Sequence, residues 1–222
     1  MQKLDGVAIA KELTEKLKTE SSPKKILAVV MIGKNPASLS FVKKKEETAK
    51  ELGVDFRMYT FKEDCTNDEA RKGVVSIANM KRVGGVIVQL PLPPHLNKYY
   101  VVNPIPREKD VDVLGERALG AFYTGRNPIL PPSVATLVEI IKKIFPNPVE
   151  TLLSKKIAVV GLGFLIGKPI AHSLMGKCKE LYLLDKESDL NPPAGGLKEA
   201  DLVITGVGKP NLVTPDMLKE NA

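Results

Sequence analysis

The sequence predicts an α/β protein made of two parallel-sheet domains with a cleft between them, and three observations lead there. Short apolar runs, among them KILAVVMI at residues 25–32 and GVIVQL at 85–90, alternate with longer segments of helical period. Strands that are apolar on both faces and separated by helices belong to a parallel sheet covered on both sides. The turn-rich stretch GRNPILPPS at 125–133 interrupts the alternation and places a boundary within residues 115–130, which gives domains 1–122 and 123–222. Beyond it a second set of apolar runs begins, the first leading into the glycines of IAVVGLGFLIGKP at 157–169.

The elements follow in order. Residues 1–18, MQKLDGVAIAKELTEKLK, have the period of an amphipathic helix, and their acidic Asp5 and Glu12 do not suit a signal peptide. After the strand at 25–32, PASLSFVKKKEETAKELG reads as a helix that Gly53 ends. Residues 55–61 alternate as a strand, 68–81 suit a helix, and 85–90 form the next buried strand. PLPPHLN then leaves the sheet as a stiff loop, because proline cannot donate to a ladder. His95 is read as one of its loop residues. In the second half a helix is expected at 134–144, the PNP at 146–148 follows it, and a strand at 157–160 enters the glycine turn. IAHSLMGKCKE at 170–180 reads as the helix after that turn, and LYLLD and DLVITGVG as two further strands. The sequence given stops at MLKENA, after a short helix, where such a domain is expected to continue with another strand. The expectation is therefore a second domain without its C-terminal part.

Composition removes several function classes. Apolar residues make up 43% and charged residues 27%, and no apolar run approaches the ~18 residues of a spanning helix, so neither a disordered nor a membrane chain is expected. Cys65 and Cys178 stand alone and only His95 and His172 are present, which leaves no zinc set and no histidine-based triad. The expected compartment is the cytoplasm, and no metal is expected. The net charge of +7 comes from scattered lysines without an aromatic-rich basic stripe. A small anionic ligand fits that pattern better than nucleic acid does.

The order strand, glycine turn, helix at 157–180 suits a phosphate-binding turn of one of two designs. A P-loop needs a glycine five positions ahead of the Gly-Lys pair, with four residues between, and Ser or Thr after the lysine; Leu162 and Pro169 hold those places. A dinucleotide turn needs GxGxxG or a close variant, with a polar residue about 20 positions on to meet the ribose. GLGFLIG has one residue too many before its third glycine, but the next strand ends in Asp185 and Lys186. A glycine turn of some other α/β unit is the competing reading.

Five segments then line up along almost the whole chain: NPASLSFVKKKEETAKELGV, GGVIVQLPLPPHLN, EKDVDV, PPSVAT and GLGFLIGKP. Together they resemble the bifunctional methylenetetrahydrofolate dehydrogenase/methenyltetrahydrofolate cyclohydrolase family. The resemblance implies a folate-binding catalytic domain followed by a Rossmann-like domain for NADP or NAD, assembled as a homodimer. It implies NAD(P)-dependent oxidation of 5,10-methylenetetrahydrofolate and hydrolysis of the methenyl product to 10-formyltetrahydrofolate. It assigns catalysis to Lys45, Gln89 and Asp112, and substrate binding to Phe41, Leu90 and Pro91. The cofactor falls to Gly161, Gly163, Phe164, Gly167, Asp185 and Lys186. Four positions depart from the family pattern. Phe41 stands at a tyrosine, Val113 at the glycine of KDVDG, and Leu162 and Gly163 at an Arg-Ser pair. A homologue that binds folate or nucleotide without turnover is the alternative reading.

The chemistry explains why these residue types are expected. Hydride transfer from the methylene bridge needs close face-to-face placement and no proton, so the ring of Phe41 suffices for stacking. Hydrolysis of the methenyl cation needs proton movement, a role for Lys45 on the same helix face as Phe41, with Gln89 to hold it. Asp112 suits the donors of a pterin, since a carboxylate only accepts. Lys43 and Lys44 are read as solvated. Asp185 favours the ribose hydroxyls of NAD, whereas Lys186 favours the 2′-phosphate of NADP.

Overall fold

A computed structural model describes residues 3–190 and 196–220, and the chain divides into two compact units, Met1–Ile129 and Leu130–Ala222. The division falls at Ile129/Leu130, within the proline-rich stretch and a few residues beyond 122.

The first unit runs α1 (Gly6–Lys18), β1 (Ile26–Ile32), α2 (Pro36–Glu51), β2 (Phe56–Phe61), α3 (Asn67–Asn79), β3 (Val83–Val88), α4 (Lys98–Val102) and α5 (Glu116–Tyr123). Its sheet has the order β2-β1-β3 and both pairings are parallel. The central strand β1 is buried at six of its seven positions, whereas edge strand β2 has none fully buried. That contrast reproduces the continuous apolar run of one and the alternation of the other. Val29, Met31, Val42 and Ile87 join the sheet to α2 in one core cluster.

Local chemistry fixes the helix ends. Asn35 caps α2 by accepting the Ser38 N–H at 3.0 Å, with Pro36 at the first helical position. At the other end Gly53 takes φ +66°, and the N–H groups of Gly53 and Val54 donate to the carbonyls of Lys50 and Ala49. This is the left-handed glycine cap that satisfies the last turn. Thr66 and Glu69 form a reciprocal capping box on α3. The first helix starts at Gly6 rather than at the N-terminus, because the Asp5 carboxylate accepts the Val7 N–H and sets the cap there; residues 1 and 2 of the expected helix lie outside the described ones.

The second unit runs α6 (Pro132–Ile144), α7 (Pro148–Leu153), β4 (Lys156–Val160), α8 (Gly167–Leu174), β5 (Glu180–Leu184) and β6 (Leu202–Thr205). Its sheet has the order β5-β4-β6, again all parallel. Pro148 opens the short α7, a helix not among those expected, in keeping with the tolerance of a helix's first position for proline. Two expectations are corrected here. Helix α8 ends at Leu174, not at 180, because Gly176 turns the chain at φ +69° and releases residues 177–180 toward β5. The expected short helix before MLKENA is a single 3-10 turn at Pro215–Met217; Asn221 and Ala222 lie outside the described residues.

Candidate functional site

In the first unit the site gathers where β3 ends. Gln89 follows that strand directly, and its N–H donates to the Val30 carbonyl at 2.9 Å, extending the ladder by one residue. Gln89 is 9% exposed, so both amide ends need partners. Oε1 accepts from Lys45 Nζ at 3.2 Å and Nε2 donates to the Leu90 carbonyl at 2.7 Å. The Leu90-Pro91 peptide bond is cis. Leu90 is half-buried and Pro91 is exposed.

Helix α2 brings the lysine there by phase. Val42 and Ala49 are buried, and Lys45, three residues after one and four before the other, shares their stripe and is half-buried. Lys43 and Lys44 are exposed. Phe41, one turn before Lys45 on the same face, is 62% exposed, so its ring is available to a ligand.

Asp112 comes from a turn that folds around its neighbour. Asp110 bridges to Val86 of β3, is 1% exposed, and accepts the N–H groups of Gly115 at 2.7 Å and Leu114 at 3.0 Å. Burial raises the Asp110 carboxyl above the usual range, and those backbone donors pull it back. Closing the turn requires φ +55° at Val113, a fully buried residue. Asp112 is left half-buried. Burial raises its carboxyl most, the Lys45 ammonium opposes the rise, and the Asp110 charge adds to it. Lys45 is thus tied to Gln89 by a hydrogen bond and to Asp112 by charge. Sequence reasoning left Asp110 without a role; the signal for it was a second aspartate two residues before Asp112, followed by Gly115.

The proline loop after Pro91 is pinned at its far end. Asn67 accepts the Asn97 N–H at 2.7 Å, and His95 Nε2 meets the Cys65 carbonyl at 3.0 Å.

In the second unit the glycines divide their work. The Gly161 N–H donates to the Leu184 carbonyl at 2.7 Å and its φ is +88°. A side chain there would strike Val207, with Cγ2 at 2.8 Å. Gly167 is buried at the start of α8, and a Cβ on it would collide with the Gly161 carbonyl oxygen. These two glycines let the turn pack on itself. Gly163 is exposed and a Cβ there would meet nothing within 4 Å. Helix α8 has no side-chain cap; the Lys168 N–H donates to the Gly163 carbonyl at 3.0 Å and Pro169 has no N–H, which leaves the Gly167 N–H as the donor a phosphate could meet at this helix start. Phe164 is half-buried in the same turn.

Asp185 immediately follows β5. Its Oδ1 accepts the Glu187 N–H at 3.0 Å and the Ser188 hydroxyl at 3.3 Å. Lys186 is 87% exposed and meets Glu187 at 3.3 Å. A cavity of about 540 Å³, lined by Ile166, Thr205, Gly206, Val207, Lys209 and Leu212 among others, opens where β6 ends. Sequence reasoning read residues 201–208 only as a strand and missed this wall; its signal was the paired glycines of TGVGKP. These features suit a dinucleotide: an uncapped helix start, an open glycine beside it and a carboxylate at the end of the next strand. Among the described residues no group of three or more His, Cys, Asp or Glu could hold a metal, and no helix is long and apolar enough to cross a membrane.

Comparison with known proteins divides the chain in the same way. Residues 4–112 match the catalytic domain of tetrahydrofolate dehydrogenase/cyclohydrolase, and residues 132–222 match its NAD(P)-binding domain. A relative named "Bifunctional protein FolD" from Wolbachia sp. subsp. Brugia malayi is 35% identical over 228 residues, covering 99% of this chain and 75% of the relative. Among solved structures, the bifunctional enzyme FolD from Campylobacter jejuni is 30% identical with a TM-score of 0.82, covering 96% of this chain and 75% of that one. A 5,10-methylenetetrahydrofolate dehydrogenase from the silkworm Bombyx mori is 25% identical with a TM-score of 0.87, covering 99% of this chain and 80% of that one.

Proposed function

Since the chain belongs to the tetrahydrofolate dehydrogenase/cyclohydrolase family, we propose that it oxidises 5,10-methylenetetrahydrofolate with NAD(P) and hydrolyses the methenyl product to 10-formyltetrahydrofolate. The hydrogen bond from Lys45 to Gln89, with Asp112 within electrostatic reach of the lysine, is the observation that carries this reading. Residues 1–122 take the folate and residues 123–222 the nucleotide.

Phe41 offers its exposed ring face to the pterin, and Leu90 and Pro91 form the wall that follows Gln89. Asp112 accepts from the pterin's amino and ring N–H groups, a match worth the strength of a charge-assisted hydrogen bond. NAD(P), when bound, supplies the hydride acceptor. That step needs placement from the protein and no proton transfer. Hydrolysis needs more. Lys45, kept in one orientation by the Gln89 amide, moves the proton as water adds at the cationic carbon and the ring opens. The second unit holds the nucleotide phosphates at the start of α8, with Gly161 and Gly167 shaping the turn and Gly163 leaving room.

A homodimer in the cytoplasm completes the proposal; the two unpaired cysteines, Cys65 and Cys178, accord with a reducing compartment. The test is an assay of the purified protein with methylene- and methenyl-tetrahydrofolate, together with its mass in solution. Both conversions are expected. Ligand binding without either conversion would favour the non-catalytic homologue.

A further inference from the structure

The choice between the two nicotinamide dinucleotides is written at the edge where β4 and β5 end. We propose that the second unit takes NAD in preference to NADP and that Asp185 makes the choice. The inference rests on the nucleotide-binding role proposed above.

Three observations carry it. First, Asp185 stands beside the glycine turn: the carbonyl of the preceding residue, Leu184, accepts the Gly161 N–H. In this fold the ribose of the adenosine half lies at the end of the strand after the glycine turn, where a carboxylate accepts from its hydroxyls and repels a 2′-phosphate. Second, the carboxylate is held in place. Asp185 Oδ1 accepts from Glu187 N–H and Ser188 Oγ, while the Asp185 N–H donates to Ser188 Oγ at 2.9 Å. The turn therefore engages Oδ1 and leaves Oδ2 to a ligand. Third, the local charge is wrong for a phosphate. Residues 161–167 carry no charged side chain, and Asp185, Lys186 and Glu187 sum to −1. The one cation of that triplet, Lys186, already meets the Glu187 carboxylate. A chain of net charge +7 thus carries a net −1 on these three residues, while Lys168 follows the glycine turn.

The experiment is calorimetric titration of the purified full chain with NAD and, separately, with NADP, for wild type, Asp185→Ser and Glu187→Gln, with thermal melting of each variant as a check on folding. Wild type is expected to bind NAD at least about tenfold more tightly, since juxtaposed like charges disfavour a ligand strongly. Asp185→Ser is expected to weaken NAD and strengthen NADP, bringing the two within about threefold. Glu187→Gln, which frees Lys186, is expected to strengthen NADP alone. Equal or tighter binding of NADP by wild type would overturn the preference and leave the nucleotide-binding role standing. Equal loss of both ligands in Asp185→Ser, with unchanged melting, would make Asp185 a support of the turn and overturn its assignment. Binding of neither dinucleotide by wild type would overturn both readings.

Discussion

Lys45 and Gln89 lie 44 residues apart in the sequence and meet through a single hydrogen bond of 3.2 Å. One rides on a helix whose buried stripe fixes its phase, and the other stands on the first residue past a buried strand. Neither partner is on a free loop, so the lysine ammonium is positioned by the sheet itself.

Replacing Lys45 by Met keeps the length of the side chain and removes its charge and its protons. The methenyl hydrolysis rate is expected to fall by roughly 100-fold to 10,000-fold, the usual contribution of a positioned acid or base. Hydride transfer, which moves no proton, is expected to fall far less. Phe41→Tyr is expected to raise hydrolysis more than hydride transfer, because the ring face is already present and only a hydroxyl is added. The measurement is the ratio of the two rates at saturating folate. An equal loss in both from Lys45→Met would make Lys45 a binding lysine.

Asp112 carries a cost that pH should reveal. Its carboxyl is held above the ordinary aspartate value of 3.8, chiefly by burial, so the folded protein binds that proton more tightly than the unfolded chain does. The contribution to stability is fully present below pH 3.8 and is lost as pH rises through the higher folded value. Asp112→Asn never ionises and avoids that loss. It is expected to be more stable than wild type at pH 7 by roughly 0.5 to 2 kcal/mol, the common range for a stabilising replacement. The gap should close on acidification toward pH 3.8, while folate affinity drops. Urea denaturation of both proteins at pH 7 and pH 4 decides it; a gap that is absent at pH 7 or grows in acid would refute the burial cost.

The sheets were legible because burial on both faces leaves a direct mark: β1 is an unbroken apolar run and β4 is one after Lys156, and both were found within one residue of their ends. Helix α8 was overextended because HSLMGKCKE keeps a helical period past Gly176, and only the left-handed φ of that glycine ends it. Lys45 was hard to read alone, since three consecutive lysines look solvated. Its phase against Val42 and Ala49 separates it from Lys43 and Lys44, and that signal was in the sequence. Asp110 was missed for a different reason. Its partners are backbone N–H groups of Leu114 and Gly115, so its mark in the sequence was only its place two residues before Asp112 and five before Gly115.

Val113 sets backbone strain against burial. A β-branched residue at φ +55° costs about 1–2 kcal/mol relative to glycine, but the side chain is fully buried, and burying a valine is worth about 1.5–3 kcal/mol. The two nearly cancel for glycine. Val113→Gly is therefore expected to change stability by no more than roughly 1–2 kcal/mol. Val113→Ala keeps the left-handed penalty and loses two methyl groups, so it should be the worse of the pair. At an ordinary buried site the order is reversed, since glycine costs more than alanine. Thermal melting of the two variants checks the order, and alanine melting above glycine would refute the strain argument.

The last prediction separates the glycines of the second unit. A Cβ on Gly167 would overlap the Gly161 carbonyl oxygen and press on the backbone carbon of Gly161 at 2.8 Å and the Leu162 Cα at 2.9 Å. All three are backbone atoms, so no side-chain rotation relieves the clash. The start of α8 and the turn after β4 would have to separate, and the buried cluster of Ala158, Val160, Leu184, Leu197 and Ala200 lies on the same sheet. Gly167→Ala is therefore expected to destabilise the unit by more than about 3 kcal/mol, beyond the ordinary range of a single substitution. Gly163→Ala has open space and an ordinary backbone angle, so stability should change by less than about 0.5 kcal/mol. The family pattern the chain resembles carries a serine at this position, so a methyl there should leave dinucleotide affinity within about threefold of wild type while the fold stays intact. Denaturant titration of both variants, followed by calorimetric titration of Gly163→Ala, tests the division. A Gly163→Ala protein that loses dinucleotide affinity with its stability unchanged would mean that this position tolerates no side chain beside the ligand, and a Gly167→Ala protein of wild-type stability would mean that the helix and turn are not packed as described.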